Sequence, residues 1–170
     1  MKLYLVRHAE ALHFNSDPMR GLSERGVGQA HAVAKFLRGG GQFLPDEIWH
    51  SGLPRSTITA QILRDEAAPD SDLVERPDIM PESCDDLSYD ALCKCEKSVA
   101  IVGHQPHLQH LFSRIVCSSD PEMWEIVNGG VACINGQDYY VGMGNIRRRW
   151  SLFWMLTPRL LGTIDNGQFD

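Results

Sequence analysis

Three short apolar runs in this sequence end in side chains suited to gripping an anion and attacking it. Leu3 to Val6 leads into Arg7 and His8. Glu47 to His50 leads into Ser51, with Arg55 close behind, and Val99 to Val102 leads into Gly103 and His104. Arginine offers planar, paired donors and does not lose its charge, which suits the oxygens of a phosphoryl group. Several such cations around one phosphoryl group would stabilise the charge spread over its equatorial oxygens during transfer. An imidazole among them would have its pKa pushed below the ordinary value of about 6.5, leaving it neutral and able to attack phosphorus near pH 7. Its second ring nitrogen needs an acceptor to fix the tautomer, and a backbone carbonyl would serve.

The elements that must position these groups follow from the pattern around them. Leu3 to Val6, Glu47 to His50 and Val99 to Val102 read as short buried strands, with a weaker one at Leu73 and Val74. Ser23 caps a helix to about Leu37 with an apolar stripe at Val27, Ala30, Val33, Ala34 and Leu37, and Gly39 to Gly41 stop it. Pro54 opens a second helix through Ile58, Ile62 and Leu63, and Pro106 opens another carrying Leu108, Leu111, Phe112, Ile115 and Val116. Residues 77–89 read as loop, followed by a short helix near Asp90 to Glu96. Val131 to Ile134, Tyr139 to Val141 and Trp150 to Leu156 read as closing strands, with Asn135-Gly136 as a hairpin signal between the first two. Strands alternating with helices predict a three-layer α/β/α sandwich with a mostly parallel central sheet, in a single domain over residues 1–170. Ligands of open α/β sheets bind at the carboxyl ends of parallel strands, where the histidines and arginines would gather.

These segments resemble the histidine phosphatase superfamily. LVRHAEA is similar to its first signature, HSGLPRSTITA to its S-x-L-x-R-[AS]-x-x-T-A motif, and VGHQP to its G-H pair in the form found in short members. RGLSERG resembles the R-x-L-[ST]-x-x-G stretch that opens the first helix, and WMLTPRLL the closing strand of the short SixA-type phosphohistidine phosphatases. The resemblance implies a phosphoglycerate mutase-like fold. It implies His8 as the nucleophile that becomes phosphorylated, Arg7 and Arg55 as phosphoryl ligands, His104 as a donor to the same group, and Arg20 as a further phosphate-binding arginine. The implied reaction is transfer to His8 followed by hydrolysis, with no metal and no organic cofactor. The implied partner is a histidine-phosphorylated protein such as a phosphotransfer domain, and the pocket would also take phosphate or a phosphate-mimicking anion. Ala9 stands where many members carry glycine. Members acting on esters supply a carboxylic acid to the leaving alkoxide; Glu82, after Pro81, is the best candidate here, although its acidic surroundings favour a solvated loop acid.

Composition sets the outer bounds. A chain of 170 residues with 43% apolar and 22% charged residues can bury a core of its own. A net charge of -6 without a long basic stretch argues against nucleic acid as partner. No apolar run approaches the roughly 20 residues of a membrane helix, and a scattered, odd set of cysteines suits reduced thiols, so a cytoplasmic protein without membrane attachment is expected. His104, His107 and His110 recur every three residues, which reads as a helical surface rather than a metal site; Arg147 to Arg149 read as a solvated turn. Two other functions remain open at this stage: a phosphatase for small esters or phosphoserine and phosphothreonine proteins, and a non-catalytic phosphoprotein-binding module.

Overall fold

In the computed structural model, which describes residues 1–13, 17–117, 120–121, 124–142 and 145–162, six strands form one sheet in the order β3-β2-β4-β1-β5-β6. The strands are β1 (Lys2–Arg7), β2 (Glu47–His50), β3 (Asp72–Glu75), β4 (Val99–Gly103), β5 (Val131–Tyr140) and β6 (Ile146–Leu156). β1 to β4 run parallel; β5 is antiparallel to β1 and β6 antiparallel to β5. Between them lie α1 (Glu24–Gly40), α2 (Pro54–Ala67), α3 (Asp85–Lys94) and α4 (His107–Phe112).

Side chains alternate across a strand, so each central strand feeds two cores. Tyr4 and Val6 of β1 join Ala100 and Val102 of β4 against Val33, Ala34 and Leu37 of α1 and Ala60 and Leu63 of α2. Leu3, Leu5, Val99 and Ile101 face the other way, onto Leu92 of α3 and Leu108, Leu111 and Phe112 of α4. The expected α/β/α layering is present. Among the described residues, no helix is long and apolar enough to cross a membrane.

Three local expectations are corrected. Asn135-Gly136 is no hairpin: β5 runs unbroken through it, because the segment pairs with Lys2 and Met1 on one side and with Ser151 and Trp150 on the other. Gly136 is there for space, since a Cβ would sit 2.7 Å from the Trp150 ring; the chain turns later, near Gly142 at φ +92°. The short helix begins at Asp85 rather than near Asp90, because Asp85 and Asp86 occupy its first turn, where carboxylates complement the helix dipole. Arg148 is not in a solvated turn: it pairs with Asp138 and donates to the carbonyls of Leu92 and Cys95 at the end of α3.

Candidate active site

The carboxyl ends of β1, β2 and β4 converge on a cavity of about 370 Å³. Arg7, His8, Arg20, Arg55 and His104 all line it, so the five residues singled out in the sequence are brought together. Glu10, Ala11, Leu12, His13, Pro81, Gln105 and Asn128 complete the wall.

His8 is fixed by its backbone first. Its N–H donates to Gly103 O at the end of β4, and its carbonyl accepts from Gly129 N–H. The next N–H, of Ala9, donates to Thr59 Oγ1 at 3.1 Å, and Thr59 in turn donates to Arg55 O. The loop after His8 lies so close to α1 that a Cβ on Gly26 would be 1.9 Å from Glu10 O; only glycine fits. Ser23 caps α1 by accepting from Gly26 N–H and donates to a Glu10 carboxylate oxygen at 2.8 Å. Gly26 and Thr59 are thus the packing reason for two of the sequence motifs.

The ring is oriented as well. His8 Nδ1 donates to Ala9 O at 2.7 Å, which supplies the expected backbone carbonyl and leaves Nε2 with its lone pair. Burial, and then the cations Arg55, Arg7 and Arg20, push the His8 pKa from 6.5 down to about 4. The imidazole is therefore neutral at pH 7. Its stability linkage follows in sign: between pH 6.5 and 4 the unfolded chain holds more protons than the folded one, so stability is complete above pH 6.5 and is lost as pH falls. For His8 alone the full window is worth about 3 kcal/mol. Denaturant titrations should show a folding free energy that falls from pH 7 to pH 4.5, with a shallower slope in His8→Gln; equal slopes in the two proteins would contradict this assignment.

His104 packs beside His8 with ring centroids 4.9 Å apart. Ser51 Oγ accepts from Leu53 N–H at 3.3 Å and contacts His104 Nε2 at 2.7 Å. Among the described residues Nε2 is the acceptor in reach of the Ser51 hydroxyl, so the hydroxyl donates to it and the ring proton sits on Nδ1, which has no partner among the described residues. Burial lowers the His104 pKa, as do His8, Arg55 and nearby cations, so the ring is a neutral donor. Ser51→Ala should lower turnover about tenfold by freeing this ring, with little change in thermal stability; unaltered kcat would remove Ser51 from the site.

Arg55 is 5% exposed, yet it lies in the first turn of α2, which carries no acid there. Its Nη1 donates to Pro18 O at 2.8 Å, and burial followed by Arg20 lowers its pKa. A cation at the positive end of a helix, beside another cation, is an unfavourable placement that a bound anion would relieve. Arg20 is held to Asp17 O at 3.2 Å. Arg7 Nη1 donates to Glu125 Oε1 at 2.6 Å and to Ile126 O at 3.0 Å, which pins its guanidinium against the wall.

Glu82 is exposed and does not line the cavity; Pro81 takes that place. Among the described residues Glu10 is the one carboxylate in the lining; Glu125 lies outside it, on Arg7. Glu10 is engaged by Ser23 and by Arg25 at 3.4 Å, and Glu125 by Arg7. Sequence reasoning missed Glu10, His13, Gln105 and Asn128 in the wall, and Glu125 as the partner of Arg7. Glu10 and Gln105 lay within recognised motifs, LVRHAEA and VGHQP; the others carried no local signal. The spacing of His104, His107 and His110 does not mark one solvated face either: His107 is fully buried, with Nε2 3.1 Å from Ser88 Oγ, and only His110 is exposed.

Part of the sequence and the fold are similar to those of known proteins. Residues 3–80 match the family model described as histidine phosphatase superfamily (branch 1). The fold is similar to that of the protein histidine phosphatase SixA solved with tungstate, at TM-score 0.78 and 20% identity, over 95% of this chain and 99% of that one. It is similar to the candidate phosphohistidine phosphatase SixA from Agrobacterium tumefaciens at TM-score 0.73 and 22% identity, over 92% and 97% of the chains. It also resembles a phosphoglycerate mutase from Plasmodium falciparum at TM-score 0.58 and 17% identity, over 87% of each chain. No curated protein matches the sequence. The chain carries the histidine phosphatase pattern in its first half and the SixA-like fold over nearly all its described length.

Proposed function

We propose that this chain, acting as one domain, is a protein phosphohistidine phosphatase. His8 Nε2 attacks phosphorus on a phosphorylated histidine of another protein, the substrate imidazole leaves, and water then releases phosphate from His8. The observation that carries phosphoryl transfer is the neutral His8 ring, tied at Nδ1 and free at Nε2, in a cavity walled by Arg7, Arg20, Arg55 and His104. The arginines would hold the equatorial oxygens, and His104 Nδ1–H would donate to one of them. When His8 is phosphorylated its ring becomes cationic, and the Ala9 carbonyl on Nδ1 stabilises that charge.

The substrate class is supported by what the mouth offers a leaving group. The one carboxylate in its described wall, Glu10, is paired with Arg25 and accepts from Ser23. An alkoxide leaving group needs a proton donor at the bridging oxygen, worth roughly 10²–10⁴ in rate. Imidazole is a much weaker base and departs without a carboxylic acid beside phosphorus. The likeness to SixA, a protein histidine phosphatase that binds the phosphate mimic tungstate, points the same way. A reducing cytoplasm suits the free thiols of Cys84, Cys93, Cys95 and Cys133.

The test is a side-by-side rate comparison on a histidine-phosphorylated protein, a phosphoserine peptide and an aryl phosphate. The reading requires kcat/KM to be highest on phosphohistidine. Faster hydrolysis of the esters would overturn it while leaving the His8 chemistry in place.

A further inference from the structure

The cavity has a floor and a rim of different character. His8, Arg55 and His104 on the floor are buried, whereas Leu12 and His13 at the rim are exposed. The titratable and charged groups facing the cavity are Arg7, His8, Glu10, Arg20, Arg55, His104 and His13. The arginines do not give up protons. His8 is the attacking ring, His104 is committed to Ser51, and Glu10 is committed to Ser23 and Arg25. His13 alone among them makes no hydrogen bond or ion pair with a described residue, and it stands in contact with solvent.

A phosphorylated histidine has two ring nitrogens, separated by one carbon, whose outward bonding directions diverge widely. One bonds phosphorus at the floor, and the other points outward, toward the rim. Without a proton on that outer nitrogen the leaving group would be an imidazolide anion; with one it is neutral imidazole. A phosphate ester differs, because the atom that needs the proton is its bridging oxygen, bonded directly to phosphorus at the floor. An imidazole is well matched in basicity to another imidazole for handing over a proton near neutral pH.

Building on the phosphohistidine reading, we propose that His13 is a catalytic proton carrier that protonates the outer ring nitrogen of the substrate phosphohistidine. The His13 imidazolium gives up its proton to that nitrogen. The phosphorus–nitrogen bond to the substrate then breaks, its electron pair staying with the departing neutral imidazole, while His8 Nε2 bonds phosphorus. In the second step water attacks phosphorus, the pair of the breaking bond returns to Nε2, and the proton released by water passes to His13. The imidazolium is restored and inorganic phosphate leaves.

The experiment measures kcat and kcat/KM against pH for wild type, His13→Gln and His13→Ala, on a histidine-phosphorylated protein and on an aryl phosphate. On phosphohistidine both variants should fall on the order of tenfold or more, with the loss partly rescued by added imidazole. On the aryl phosphate the fall should be under about threefold. Equal losses on both substrates, or no loss on phosphohistidine, would overturn the role of His13 and leave the substrate reading intact. A wild type inactive on phosphohistidine would instead overturn that reading and this proposal together.

Discussion

His8→Ala lowers turnover by roughly 10⁴-fold or more on every phosphorylated substrate, as expected when the nucleophile of a covalent mechanism is removed. The variant should still fold, since His8 is placed mainly by backbone bonds to Gly103 and Gly129 that alanine keeps. It should also still bind inorganic phosphate, because Arg7, Arg20, Arg55 and His104 remain in the wall. Steady-state rates together with a thermal shift by phosphate check both halves. Retention of even a tenth of the activity would move the nucleophile elsewhere, and loss of the phosphate shift would mean that the arginines alone do not form the anion site.

Arg55→Met should lower kcat by roughly 10²–10³-fold, the loss typical of one donor to transition-state charge. Its effect on stability runs the other way. Arg55 is buried beside Arg20 at the start of α2, and its lowered pKa marks the unfavourable placement of that charge. Without a bound anion, Arg55→Met should melt at or slightly above the wild-type temperature, and added phosphate should stabilise it less. Here the fold holds a strained charge in readiness for a ligand. A marked drop in melting temperature would make Arg55 a structural residue, and full activity would remove it from the site.

Much of the site was legible because its groups follow the apolar runs directly. Arg7 and His8 continue β1, and His104 follows the last residue of β4, so strand order alone brings them to one edge. Arg55 could be read from Pro54, which marks the start of α2. Roles that depend on contact through space were not legible. Ser51 and Thr59 sit in a recognised motif, but that one orients His104 and the other holds Ala9 follows only from how β1, β2 and β4 stack. Asn128 reaches the cavity, and Glu125 reaches Arg7, from a segment with no chemical pattern of its own, and His13 lies in a loop whose sequence looks ordinary. The Asn135-Gly136 pair misled for a physical reason. A glycine that makes room for Trp150 and a glycine that turns a hairpin look alike in sequence, and pairing on both flanks decided between them.

The central claim is a phosphoryl group carried on His8. Wild-type protein would be mixed for milliseconds with a histidine-phosphorylated protein, quenched in alkali to preserve the phosphorus–nitrogen bond, and mapped by mass spectrometry. The expected result is phosphorylation at His8 on Nε2 that appears before free phosphate, decays in a chase and is absent from His8→Ala. Release of phosphate with no phosphorylated enzyme, or with the label on another residue, would contradict the mechanism.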